Sequence, residues 1–266
     1  MNIYVNGKVV EIEDNETTDY VKERYKPYAD LIILNGFPIN EPVKLKEGDT
    51  VVLIKKSEIP TPLEIEYMLT SRHTPGVYKK LKKSSVVVAG VGGLGSNIVV
   101  SLARMGVGRI RFADFDIVEP SNINRQYYFI DQIGTKKVFA LHDTLMRINP
   151  YIKYEPFDNY LDINNMYSMF EDFDIIIEAF DKAEEKSKIT GFVLTHFKDK
   201  PFIAASGVAG YGDTQEIMIK KIKEHFYIVG DFKTEASMGM GLMAPRVAVA
   251  ANIQANLAVR ILLGDI

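Results

Sequence analysis

The chain has 266 residues, 47% of them apolar, and a formal net charge of −3. That composition supports a real core and excludes wholesale disorder, and with no bulk basic field the chain is not expected to take nucleic acid as a partner. Cysteine is absent, which rules out disulfides, thiolate zinc sites, iron–sulfur clusters and cysteine nucleophiles within this chain.

The first stretch, MNIYVNGKVVEIEDN, does not read as a signal or transit peptide, and the apolar runs are shorter than a bilayer span. A cytoplasmic address without a membrane partner is therefore expected. Asn6-Gly7, set between Ile3-Tyr4-Val5 and Val9-Val10, predicts a tight hairpin. Thr17, Thr18 or Asp19 caps a short helix that ends near Pro27, Leu31–Leu34 is a short strand stopped by Asn35-Gly36, and Gly48-Asp49 turns the chain into Thr50–Ile54. Residues 1–57 thus read as a small α+β domain of four strands and one helix. The prolines of Ser57–Pro62 mark an extended joint, Leu63–Leu69 is a helical turn or two, and Ser71–Gly76 is a loop by composition. The expected division is 1–57, a lead-in over 58–78, and a large α/β domain over 79–266.

That large domain opens on Ser84–Val91, SSVVVAGV, a β-branched run of the kind found in fully buried parallel strands. It leads into Gly90-Val91-Gly92-Gly93-Leu94-Gly95, then a helix to Met105 and a strand over Arg109–Ala113. A glycine-rich turn between strand and helix is the setting in which backbone N–H groups and the helix N-terminus cradle phosphate. Gly90 serves the tight turn, Gly92 the close approach of phosphate, and Gly95 the packing of helix on strand. Asp114 ends the next strand and Asp116 follows two residues on. A carboxylate at Asp114 is placed for ribose hydroxyls, and at this point NAD and ATP are equally allowed.

The tie breaks after that strand. Arg125 offers a bidentate fork and Lys137, at a helix start, a compact charge. Two cations beside a glycine loop suit a triphosphate better than a nicotinamide ring. Phe173–Phe180 reads as another buried strand, with Glu178 directed away from the ligand and Asp181 at its end. Asp181 is either a Mg²⁺ ligand beside the phosphates, the N-cap of a helix over Ala183–Thr190, or both. Tyr211–Asp213 and Lys223–Gly241 read as mobile loop, and Pro245–Leu263 as a helix with Pro at its start and Gly264 after its end. The alanine-rich face of that helix reads as core. The four histidines lie apart without ligand spacing.

GVGGLG at 90–95, DFDIVEPSNINRQ at 114–126, GTKKV at 134–138, RINP at 147–150 and the strand ending at Asp181 resemble the ThiF and MoeB family, bacterial relatives of ubiquitin-activating enzymes. The likeness runs over roughly residues 70–266 and is nearest to the branch that acts on the sulfur carrier ThiS in thiamine synthesis. Residues 1–57 resemble a ThiS-type β-grasp domain. The resemblance implies a Rossmann-like adenylation domain with a mainly parallel sheet. It also implies a homodimer, Mg-ATP as the nucleotide, and attack of the carrier's C-terminal glycine carboxylate on the α-phosphate to give an acyl-adenylate and pyrophosphate. It places nucleotide contacts on Gly90, Gly92, Gly93, Leu94, Gly95, Asp116 and Gln126, the ribose on Asp114, nucleotide and phosphate contacts on Asn122 and Arg125, a phosphate contact on Lys137, and the metal on Asp181. Arg72 is the nearest counterpart of an arginine that reaches a partner subunit's phosphates; an exposed loop charge is the other reading.

The chain also departs from the family pattern. With no cysteine it cannot hold the structural zinc that relatives bind with two C-x-x-C pairs, and it cannot form an acyl-disulfide, so no zinc and a separate persulfide donor are expected. Residues 54–62, IKKSEIPTP, contain no Gly-Gly and run straight on, so the fused domain cannot be its own substrate. The rival readings are a non-catalytic carrier- or nucleotide-binding relative, an enzyme that adenylates another acid (a tRNA base, a peptide, a molybdopterin-type carrier), and a nicotinamide oxidoreductase that leaves Arg125 and Lys137 unexplained.

Overall fold

The computed structural model describes residues 1–73 and 76–266. The chain divides into two units, Met1–Lys79 and Lys80–Ile266.

The first unit contains β1 (Asn2–Val5), β2 (Lys8–Glu11), α1 (Thr18–Tyr25), β3 (Leu31–Leu34), β4 (Phe37–Ile39), β5 (Thr50–Ile54) and α2 (Pro62–His73), and α3 (Val77–Leu81) crosses the division. Its sheet runs β2-β1-β5-β3-β4, with β1 and β5 parallel and every other pair antiparallel. Asn6 and Gly7 take positive φ in the β1–β2 hairpin, as their sequence demands. Thr17 caps α1, its side chain accepting from the Tyr20 N–H. Asn35 and Gly36 also have positive φ and form a second hairpin, so the expected stop after β3 is a turn into β4. Three residues containing Pro38 carry little strand signal, and the edge position is what tolerates the proline.

Period-two alternation along β5 divides its side chains between two cores. Val51 and Leu53 pack with Ile3, Val5 and Val21 on the α1 side. Val52 and Ile54 pack with Ile33, and Tyr67 and Met68 of α2 cover them. The lead-in is therefore not an open joint over this stretch: α2 is longer than the turn or two expected and closes the second face of the sheet. Buried Glu64 anchors it, accepting from the Thr61 N–H at 2.8 Å and from Lys26 Nζ at 2.9 Å. Ser71, Arg72 and His73 finish this helix rather than joining a loop. Thr74 and Pro75 of the expected loop lie outside the described residues.

The second unit is a seven-stranded sheet in the order β11-β12-β10-β9-β6-β7-β8, parallel except for β11. Its elements are β6 (Ser85–Ala89), α4 (Gly93–Met105), β7 (Arg109–Ala113), α5 (Lys137–Ile148), β8 (Lys153–Phe157), α6 (Met166–Phe170), β9 (Ile175–Glu178), α7 (Ala183–His196), β10 (Phe202–Ala205), β11 (Met218–Lys223), β12 (Phe226–Gly230) and α8 (Ala244–Leu263). The α/β, Rossmann-like architecture and the α+β domain before it are those expected from the sequence. β12 corrects the expectation of loop over Lys223–Gly241. Residues 226–230 pair in parallel with β10, and Phe226 stacks on Phe202 at 5.2 Å.

β6 sits between β7 and β9, so the strand order reverses there and a crevice opens at the carboxyl ends of the strands. All of β6, β9 and β10 is buried. α8 is long and apolar enough to cross a membrane by length and composition alone. Here its Val247, Ala250, Ala251, Ala255, Leu257 and Ala258 are buried inside the unit, as the alanine pattern indicated. Pro245 lies in its first turn and Gly264 ends it with φ 76°.

Because Tyr67 and Met68 close the second face of the small sheet, a fragment ending at residue 57 should melt well below one ending at residue 79. Burial of a Val or Ile side chain stabilises by about 1.5–3 kcal/mol. Circular dichroism melts of the two fragments measure the difference, and equal melting temperatures would show that α2 adds nothing.

Candidate active site

The glycine turn is shaped by what it leaves out. Gly90 has φ +91°, and a Cβ there would press on the Ala179 carbonyl and the Phe180 ring, both at 3.0 Å. A Cβ on Gly95 would run into the Gly90 carbonyl oxygen. Gly92 is different: only Gln126 lies within 4 Å of its missing Cβ, so this glycine opens space rather than relieving a clash. No side chain caps the N-terminus of α4, which leaves first-turn N–H groups and the positive end of the helix dipole turned to the crevice.

Above this turn lies a cavity of about 460 Å³. It is lined by Gly90, Gly92, Gly93, Leu94, Asp114, Asp116, Arg125, Gln126, Lys137 and Asp181 among others, so the fold brings most of the expected site residues to one place. Gly95, packed beneath the turn, and Asn122 are not among the lining residues. The Asn122 side chain is engaged locally. Its Oδ1 accepts from the Glu119 N–H at 3.0 Å and its Nδ2 donates to Ser121, so it caps the short 3₁₀ turn Pro120–Asn122. Arg72 belongs to the first unit, exposed on the last turn of α2.

Arg125 fits a bidentate acceptor. Its Nη1 donates to the Ser121 carbonyl and to Asn124 Oδ1, at 3.1 and 2.8 Å, while its Nε is buried with no partner. Gln126 Oε1 is likewise buried and unpartnered. Orphaned polar atoms beside a cavity are what a missing polar ligand leaves behind. Lys137 begins α5 because residues 134–137 fold back on 116–118: Gly134 N–H donates to Val118, Val118 N–H to Thr135, and Lys137 N–H to Asp116. Its Nζ lies 2.9 Å from Asp116 Oδ2. Asp114 accepts from the Val91 N–H and the Asp116 N–H, both at 2.9 Å, so the carboxylate expected to meet ribose also ties down the glycine turn.

Asp181 does not cap α7. The N-cap is Lys182, with no side-chain bond, and the Asp181 carboxylate is exposed and unpartnered among the described residues. The described residues contain no cluster of three or more metal-ligating side chains. A single free carboxylate still fits Mg²⁺, which keeps waters and takes its other ligands from phosphates. Glu178 is turned away, as expected: fully buried, it accepts from Lys186 Nζ at 2.9 and 3.1 Å and from the Phe180 N–H at 2.6 Å.

The far wall was not legible in the sequence. Ser206–Ala209 follow β10, and Thr234–Ala236 follow β12. Buried Asp231 holds this wall. It accepts from the N–H groups of Lys233 and Thr234 and the Thr234 hydroxyl, and pairs with Arg246 Nη2 at 2.7 Å. Arg246 Nη1 in turn donates to the Gly212 and Asp213 carbonyls. Burial alone would raise the Asp231 pKa, but the Thr234 and Lys233 hydrogen bonds and Arg246 outweigh it and hold the carboxyl at about 2.

Residues 66–266 match the ThiF family and residues 1–57 match ThiS-like ubiquitin. The chain belongs to the ThiF family, a family of ATP-dependent adenylyltransferases. It is 28% identical over 186 residues to the molybdopterin-synthase adenylyltransferase of Salmonella typhimurium, covering 68% of this chain and 74% of that protein. The Escherichia coli enzyme of the same name is 27% identical over 188 residues, covering 69% and 75%. Among solved structures, Escherichia coli tRNA N6-threonylcarbamoyladenosine dehydratase in complex with ATP superposes with a TM-score of 0.70. It is 18% identical, covers 78% of this chain and 98% of that one, and shares the fold.

Because the Asp231 pKa is depressed, its stabilisation is complete above about pH 4 and is lost as pH falls toward about 2. Asp231→Asn leaves Arg246 buried without its counter-charge. It should cost about 3–5 kcal/mol at neutral pH and flatten the acid limb of the stability curve between those values. Urea titrations across that range measure both effects.

Proposed function

We propose that this chain uses ATP to adenylate the C-terminal glycine carboxylate of a small β-grasp sulfur carrier of the ThiS type, releasing pyrophosphate. The observation that carries this reading is the unpartnered Nε edge of Arg125 beside an uncapped helix N-terminus in one cavity. That pairing suits an oligophosphate. The relatives' names support adenylation of a carrier-linked acid.

In this reading the bound nucleotide supplies an electrophilic α-phosphorus and pyrophosphate as the leaving group. The protein needs no general base, since a carboxylate is already ionised at neutral pH. The glycine turn and the first turn of α4 hold phosphate oxygens through backbone N–H groups. Arg125 offsets the charge that builds on those oxygens, and Lys137 does so if it exchanges Asp116 for phosphate. Asp114 orients the ribose, Asp181 would hold Mg²⁺, and the wall at Ser206–Ala209 and Thr234–Ala236 takes the carrier tail. Arg72 acts as a phosphate contact on a partner subunit in a homodimer. With no cysteine the reaction ends at the acyl-adenylate, and a separate persulfide protein supplies sulfur. Residues 1–57 brace the enzyme or help dock its partners, within a cytoplasmic assembly. A molybdopterin-type carrier is the second reading, favoured by the names of the relatives above.

The test is ATP–pyrophosphate exchange dependent on candidate Gly-Gly-ended carriers. Exchange should appear with a ThiS-type carrier and not with a molybdopterin-type one; the reverse preference selects the second reading. Arg125→Ala and Asp181→Asn should each lower exchange by about 100-fold or more. Absence of exchange with every carrier, together with binding of NAD, overturns the proposal.

A further inference from the structure

Val91 is the one non-glycine residue inside the 90–93 turn, and both of its peptide groups are held. Its N–H donates to Asp114 Oδ2, and its carbonyl accepts from the Tyr128 hydroxyl at 2.7 Å. Tyr128 is buried, and its hydroxyl makes no other hydrogen bond among the described residues. Burial, reinforced by the negative Asp114 and Asp116, keeps its phenol well above the usual range, so the hydroxyl is a neutral donor at any working pH.

Tyr128 sits three residues after Arg125, on the same short segment. That segment is joined to the glycine turn at two further points. Tyr127 N–H donates to Ser96 Oγ at 2.9 Å, and Ser96 Oγ donates to the Gly92 carbonyl at 2.7 Å. Asn97 Nδ2 bridges the Gly93 and Arg125 carbonyls at 2.7 and 3.3 Å. The turn and the arginine come from distant parts of the sequence yet are braced as one body.

We propose that Tyr128 is a positioning residue whose hydroxyl keeps the glycine turn in register with Arg125, so that the turn's N–H groups and the guanidinium converge on the same phosphates. The inference rests on the nucleotide reading above and adds a residue that touches no ligand itself. The Val91 carbonyl and the Gly92 N–H belong to one planar peptide unit, so any rotation that frees the carbonyl swings the Gly92 N–H with it. Removal of the hydroxyl leaves a buried carbonyl unsatisfied, which favours that rotation.

Tyr128→Phe removes the hydroxyl and keeps the ring. Calorimetric titration of the full-length protein with ATP and with adenosine separates the outcomes. Affinity for ATP should fall about tenfold, while that for adenosine, which has no phosphate, stays within about twofold. The loss should shrink in an Arg125→Ala background, because the two residues act on one target. Equal losses for ATP and adenosine, or an unchanged ATP affinity, overturn the proposal. Ser96→Ala cuts the second brace and should show the same phosphate-selective loss, which keeps the test open if Tyr128→Phe fails to fold. Wild-type binding of ATP bears on the nucleotide reading; the difference between wild type and variant bears on this one.

Discussion

The close approach of α4 to the end of β6 governs the rest of the second unit. With a Cβ on Gly95 the helix could not lie against the Gly90 carbonyl, and with one on Gly90 the turn would press on Ala179 and Phe180, just after β9. Because both are absent, the helix axis begins directly above the reversal of strand order. Uncapped N–H groups then meet the crevice that the sheet topology opens. Backbone geometry alone thus turns a helix N-terminus toward the crevice, before any charged side chain is considered.

Charge is then delivered to that point by chain segments that fold back on themselves. The stretch between β7 and α5 returns to its own start through the contacts between 116–118 and 134–137, which brings Lys137 to the cavity. The same stretch carries Arg125 over the first turn of α4, where Asn97 holds its backbone. Acids are distributed to match. Asp116 neutralises Lys137 and Glu178 neutralises Lys186, so among the cavity's cations these two lysines are already paired, whereas the Arg125 Nε is buried without a hydrogen-bond partner.

The far wall rests on a separate constraint. Asp231 and Arg246 are both buried, and a pair of charges in such a place is tolerated only with its remaining lone pairs and donors occupied. Thr234, Lys233, Gly212 and Asp213 supply most of those partners, so one ion pair ties three segments of the unit together. In the first unit, Glu64 plays the comparable part by fixing α2 across the sheet through Lys26 and Thr61.

The glycine spacing, the buried parallel strands, the Asn6-Gly7 hairpin and the limits of α8 were all legible in the sequence, because each depends on residues adjacent along the chain. The same holds for the missing cysteines and for the lack of a Gly-Gly in residues 54–62, which are read directly from the chain. Tertiary structure alone decided that Phe226–Gly230 is an inner strand, that α2 closes a sheet, that Asn122 caps a turn outside the cavity, and that the Tyr128 hydroxyl braces the glycine turn. Each of these depends on a partner far away in sequence: β10 for β12, Val52 and Ile54 for Tyr67 and Met68, Val91 for Tyr128. Local propensity carries no record of such partners, since a strand edge, an apolar helix face or a tyrosine hydroxyl acquires its role only when folding brings the complement to it.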